Sequence, residues 1–143
     1  MTPDFFIWGS GCFYDFLGEK LSRFQELLLS YRGEREILEE MRRLILGREL
    51  PLRLRESLDR ELRLHFPDGR RFAVRSSAVD EDGERHSFAG MMDSVLNLST
   101  EDDYIAALKS CYASCFSERA MEYRRREGIL RGDLSIAVIF QEM

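Results

Sequence analysis

The sequence predicts an α+β domain, with about five helices covering one face of a small mixed sheet of about four strands. Three observations predict it. Apolar residues recur at spacings of three, four and seven through residues 13–31, 37–45, 54–62 and 104–116, the period of helices with one buried face. Runs rich in aromatic and β-branched residues at Asp4 to Trp8, Phe72 to Ala78 and Leu134 to Phe140 read as strands. The stretch from Phe72 to Leu98 reads as a strand, polar loop, small-residue turn and second strand. Helices segregated to one side of a sheet are the layer arrangement these pieces allow.

Taken in order, the opening strand is ended by Gly9-Ser10-Gly11, and one long helix follows. Its buried side is Phe13, Phe16, Leu17, Leu21, Phe24, Leu27, Leu28 and Tyr31, and Gly33 breaks it. A second helix buries Ile37, Leu38, Met41, Leu44 and Ile45, with Gly47 placed as its C-cap glycine. Pro51 suits the first turn of a third helix, whose core side is Leu54, Leu58 and Leu62, with His65 at its margin. Pro67-Asp68-Gly69 is a turn. After the central unit, Thr100 and Asp103 form a capping-box pattern. That helix carries Tyr104, Ala107, Leu108, Cys111, Tyr112, Cys115 and Phe116 on one stripe. A charged helix near Ser117 to Glu127 ends at Gly128 and Gly132, and a nearly all-apolar strand closes the chain.

Composition narrows the function. At 143 residues the chain is a single domain, able to bury roughly 68% of its unfolded surface. Its 44% hydrophobic and 33% charged content fits a soluble globular chain without disorder. A net charge of -5 argues against a general nucleic-acid surface. No apolar run approaches the roughly 18 residues of a membrane span, and an early Asp4 argues against a secretory signal. Three cysteines cannot all pair, which fits a reducing cytoplasm. Cys111 and Cys115 share a helical face but lack further Cys or His neighbours, so they read as core rather than as zinc ligands. Phe5, Phe6 and Trp8 likewise read as core.

The informative stretch is Phe72 to Leu98. Its first strand delivers Arg75 with Ser76 and Ser77, and Ser87 and Gly90 bracket a turn where backbone could approach a ligand closely. A guanidinium fork, hydroxyls and exposed backbone N–H groups suit a polyphosphate. Such loops also close ordinary hairpins, so on physics alone the signal is moderate.

Ala73-Val74-Arg75-Ser76-Ser77-Ala78, the acidic Glu81-Asp82 and Ser87-Phe88-Ala89-Gly90 resemble the signature of the N-terminal ATP-grasp, nucleotide-binding domain of the phosphoenolpyruvate synthase and pyruvate phosphate dikinase family. The run Cys111 to Ala120, Tyr123-Arg124 and Val138 to Met143 look like the family's following helices and its Gln-x-Met strand end. Upstream, Phe5-Phe6-Ile7 and Phe13 to Leu17 look like the segment where that domain begins its first helices. The resemblance covers nearly the whole chain.

It implies an ATP-binding portion of a phosphotransferase that phosphorylates a histidine carrier and then pyruvate or another acceptor. Arg75 matches an arginine that contacts ATP phosphates and supports their transfer; its ordinary alternative is an ion pair with Asp80 or Glu81. Gly90 matches the glycine of the phosphate-covering loop, or is a plain turn glycine. Ser94 falls where the family has threonine, so it keeps a hydroxyl for phosphate, or is an unremarkable surface serine. Gln141, Glu142 and Met143 match the strand edge and hinge that contact adenine, or are only a strand end.

Departures from the pattern are Met91-Met92 in place of a polar pair and the absence of the family's early Gly-Lys-Gly motif. Acidic Mg²⁺ ligands, the histidine phosphocarrier domain and the pyruvate-binding barrel are expected outside this chain. Neither His65 nor His86 sits in a phosphohistidine motif. Ending at Gln141-Glu142-Met143 on a core strand suggests a piece of a longer domain. Such a piece is expected to be inactive alone and to bind ATP weakly or not at all. The alternative is a regulatory or interaction module that kept the fold and lost catalysis.

Overall fold

The structure is a computed structural model that describes residues 5–9, 11–66, 72–78, 94–95, 101–128 and 136–142. Strand β1 (Phe5–Trp8) is followed by α1 (Gly11–Leu17), a single 3-10 turn (Gly18–Lys20) and α2 (Leu21–Ser30). Helices α3 (Arg35–Leu46) and α4 (Leu52–His65) lead to β2 (Phe72–Ala78). Then come the two-residue β3 (Ser94–Val95), α5 (Glu101–Ser114), α6 (Glu118–Glu127) and β4 (Ile136–Glu142).

The sheet has the order β1-β4-β2-β3, with β3 contributing only two residues. Every described pairing is antiparallel, so the mixed sheet expected from sequence is not what forms among these strands. Periodicity cannot reveal strand direction; the chain's path through the intervening helices sets it. The long β2–β4 ladder runs from Phe72 opposite Glu142 to Ala78 opposite Ile136. In a strand, alternate side chains point to opposite faces. Phe6, Trp8, Val74, Ile136, Val138 and Phe140 are all buried on one face, and α1, α4 and α5 pack there. The opposite face carries Phe5, Ile7, Arg75, Ile139 and Gln141, where Phe5 and Ile7 keep 48% and 59% of their surface. Thus Phe6 and Trp8 are core, as read from sequence, whereas Phe5 is not.

The helices bury the stripes their spacing predicts: Leu38, Met41 and Ile45 in α3, and Leu54, Leu58 and Leu62 in α4. Gly47 is the C-cap of α3, as its position predicts, with its N–H donating to the Arg43 carbonyl, but its φ of -85° is not left-handed. It lets the chain pass close to the Arg43 carbonyl, which a Cβ would meet at 2.9 Å. The Thr100 cap and the Pro67-Asp68-Gly69 turn lie outside the described residues. Ser117 does cap α6, its hydroxyl accepting from the Ala120 N–H at 3.1 Å.

The expected first helix is two helices. Gly18 takes a φ of +49°, in the left-handed region, and the chain turns there before α2 starts. Arg48 braces the break: its Nε donates to the Phe16 carbonyl, and its Nη1 lies 3.8 Å from Glu19 Oε1. A Cβ on Gly18 would stand 2.8 Å from Arg48 Nη2. The apolar spacing stays in phase across the break, so the sequence read as one helix. The two helices bring Phe13, Phe16 and Phe24 against α5 and its end. Ring centroids lie 4.6 Å apart for Phe13–Tyr112, 5.8 Å for Phe13–Phe116 and 4.9 Å for Phe24–Phe116. On the sheet side Phe6 stacks on Phe140 at 4.8 Å and on His65 at 5.0 Å.

Candidate functional site

Arg75 lies in the middle of β2, on the face away from the helices. The β-rich run Phe72 to Ala78 forms a strand because its alternate members Val74 and Ser76 point to the core, which leaves Arg75 outside. It is opposite Ile139 of β4 on one side and Ser94 of β3 on the other. Gln141, two residues beyond Ile139, is the diagonal neighbour on the same face, within reach of long side chains. Arg75 Nη2 donates to Gln141 Oε1 at 3.1 Å, at an exposed position. The guanidinium therefore stands on the face opposite the described helices, held by a neutral acceptor.

Of the residues singled out by sequence, Arg75 and Gln141 are in contact. Ser94 is brought into register with Arg75 by backbone pairing, and Glu142 pairs with Phe72 at the end of the β2–β4 ladder. Gly90, Met143, Asp80 and Glu81 lie outside the described residues. The expectation that the strand delivers two hydroxyls beside the arginine is corrected at Ser76. Strand alternation turns it to the helix side, where its Oγ is buried with no hydrogen-bond partner among the described residues.

Beneath this face the support is largely apolar. Cys111 Sγ donates to the Val74 carbonyl at 3.6 Å, joining α5 to the strand next to Arg75. Cys115 Sγ donates to the Cys111 carbonyl at 3.3 Å. Both thiols are fully buried, consistent with their reading as core. Cys12 is half-buried, and burial followed by the Asp15 charge pushes its thiol pKa up, away from the thiolate. The Tyr112 hydroxyl is buried beside the Trp8 indole, and burial raises its pKa strongly. The Trp8 N–H is near enough to favour the phenolate, yet the two do not meet in bonding geometry, and each is unpartnered among the described residues.

One buried cation escaped the sequence reading. Arg124, within a run of three arginines, is only 7% exposed. Its Nη1 donates to the Cys115 carbonyl at 2.6 Å, and its guanidinium carbon sits 5.1 Å from the Phe116 ring centroid. The available signal was position: Arg124 falls on the α6 stripe of Ala120, Met121 and Tyr123.

Among the described residues no group of three or more His, Cys, Asp or Glu side chains could hold a metal ion, and no helix is long and apolar enough to cross a membrane. A surface groove between Tyr31–Gly33 and α6 is lined by Arg32, Arg119, Arg125 and Arg126 together with Glu118 and Glu122. Its charges alternate, and Arg125 is paired to Glu122 at 2.9 Å.

A family model described as the pyruvate phosphate dikinase AMP/ATP-binding domain matches residues 1–143. A rifampicin phosphotransferase of Bacillus cereus is 39% identical over 108 residues, 76% of this chain and 12% of the relative. A phosphoenolpyruvate synthase of Aquifex aeolicus is 38% identical over 111 residues, 73% of this chain and 13% of the relative. A prodigiosin-synthesizing transferase of Serratia marcescens is 43% identical over 76 residues, covering 53% of this chain and 8% of the relative. The chain thus spans about an eighth or less of the length of these relatives. With its whole length matched by the family model, this chain belongs to the pyruvate phosphate dikinase AMP/ATP-binding domain family.

Proposed function

We propose that this chain is the part of an ATP-grasp nucleotide-binding domain that presents Arg75 to the phosphates of ATP. The parent would be a cytoplasmic dikinase-type phosphotransferase. It would pass the β-phosphoryl group to a histidine carrier and then to pyruvate or another acceptor. The observation that carries the reading is the placement of Arg75, exposed, on the face of the sheet opposite the described helices, bonded to a neutral partner. A permanently charged, planar fork suits charge spread over phosphate oxygens. In phosphoryl transfer the protein's task is mainly positioning and electrostatic stabilisation, and Arg75 would do both. Ser94, in register with Arg75, and Gly90 would add a hydroxyl and a close backbone approach. Gln141, Glu142 and Met143 would border the base. Mg²⁺ would neutralise phosphate charge in the complete enzyme; the described residues supply no ligand set for it.

The chain alone is expected to turn over no ATP and to bind it weakly, on the order of millimolar. A titration with ATP followed by backbone amide NMR tests this. Shifts should cluster around 73–77 and 137–141 and should weaken in Arg75→Ala, while that variant's melting temperature stays put because Arg75 is exposed. Turnover by the chain alone, or an unchanged titration in the variant, would refute the assignment. A second reading, a module that kept the fold without catalysis, is favoured by Met91-Met92. Absence of any ATP response would select it.

A further inference from the structure

We propose that the groove between Tyr31–Gly33 and α6 is a docking site for an acidic polypeptide segment, recognised by Arg119 and Arg126 on one wall and Arg32 on the other. The groove has a volume of about 580 Å³ and shares no residue with the Arg75 site. Its lining sets four arginines against two glutamates, so it is net positive in a chain whose net charge is -5. The inference is independent of the nucleotide reading above.

Arg125 and Glu122 cancel each other: Arg125 Nη2 donates to both carboxylate oxygens, at 2.9 and 3.1 Å. Arg32 Nη1 donates to the Leu29 and Tyr31 carbonyls, each at 2.9 Å, which fixes the guanidinium without neutralising it. Among the described residues no ion pair engages Arg32, Arg119 or Arg126. Glu118 is then the one acid of the lining outside an ion pair among those residues. Arg119 and Arg126 are exposed and lie two turns apart on the same face of α6, about 10.5 Å along its axis. That separation is too wide for one compact oxyanion to sit between them. An extended chain rises about 3.3 Å per residue, so carboxylates three or four residues apart span about 10–13 Å and can meet both. A guanidinium fork receives a carboxylate through two parallel hydrogen bonds, and arginine clusters are a recurrent means of reading acidic motifs.

The experiment titrates the full chain, by NMR, with a peptide of about ten residues carrying glutamate at every third position, with its glutamine counterpart, and with inorganic tripolyphosphate. The acidic peptide is expected to shift the amides of 31–33 and 118–126 and to lose affinity as salt rises. It should weaken about threefold to tenfold in R119Q/R126Q and strengthen about twofold in E118Q, which removes the opposing charge. The glutamine peptide should give no shift. If R119Q/R126Q fails to fold by circular dichroism, R126Q alone makes the same test with a smaller factor. Absence of groove shifts, equal binding of the glutamine peptide, or unchanged affinity in the arginine variant overturns the docking site. Tripolyphosphate binding at the same amides as tightly as the acidic peptide overturns the choice of a polypeptide and makes the groove a small-polyanion site. None of these outcomes touches Arg75, so the nucleotide reading stands or falls separately.

Discussion

Replacing Tyr112 by phenylalanine removes one oxygen from the centre of the molecule and should stabilise it. Tyr112 is fully buried and packs its ring against Phe13 and Phe16 at 4.6 and 5.4 Å. Its hydroxyl has no hydrogen-bond partner among the described residues. A buried, unmatched hydroxyl costs about 1–3 kcal/mol. Phenylalanine keeps the ring contacts and leaves only a small void, so a net gain of about 1 kcal/mol is expected at pH 7. That corresponds to about 3 °C in melting temperature for a chain of this length. The pH dependence follows from the same burial. The Tyr112 pKa is raised in the folded state, first by burial and then by the Cys12 charge, while the unfolded chain ionises near the ordinary value of about 10. Below pH 10 both states are protonated and stability is unaffected. Above it the unfolded state releases a proton that the folded state retains, so stability falls as pH rises. The loss reaches about 1.4 kcal/mol by pH 11. Urea unfolding of both proteins at pH 7, 10 and 11 would show Y112F ahead throughout, with the gap widening above pH 10. A destabilisation of 1 kcal/mol or more at pH 7 would refute the reasoning, because the hydroxyl would then have a working partner in the Trp8 N–H. Parallel curves through pH 11 would refute the argument about ionisation.

Two further substitutions probe how the layers are joined. Phe13→Ala removes a fully buried ring that touches Phe24, Tyr112 and Phe116, and should cost about 3–5 kcal/mol in urea unfolding; a loss under 1 kcal/mol would mean the cluster collapses into the gap. Gly18→Ala places a Cβ in the left-handed region and 2.8 Å from Arg48 Nη2. It should lower stability by about 1–2 kcal/mol, and pairing it with Arg48→Ala should recover only the steric share; no loss would mean the break between α1 and α2 is not held by this residue.

How much was legible in advance can be traced element by element. The stripes of α3 and α4 were readable because a buried face repeats with the helical period whatever it packs on. β2 and β4 were readable because only residues able to face a core on one side fill those runs. The break at Gly18 was hidden, since the residues on both sides stay in phase and only the backbone conformation and Arg48 reveal it. Arg124 was hidden for the opposite reason: its charge suggested solvent, whereas its neighbour across the α5–α6 turn offers a carbonyl and an aromatic ring. At the candidate site, Arg75 was visible as a lone cation in a strand pattern. Its partner was not, because Gln141 is 66 residues away and pairing register is a property of the assembled sheet.

The sequence by itself determined which side chains seek the interior, where helices and strands form, and that the motif around Arg75 belongs to a nucleotide-binding lineage. These are consequences of local spacing and residue chemistry, which the chain carries before it folds. Tertiary structure alone decided that the described strands run antiparallel, that Ser76 turns inward while Arg75 turns outward beside Gln141, and that the hydroxyl of Tyr112 is sealed in without a partner among the described residues. Each of these depends on which distant segments become neighbours, and no local pattern in a sequence specifies that.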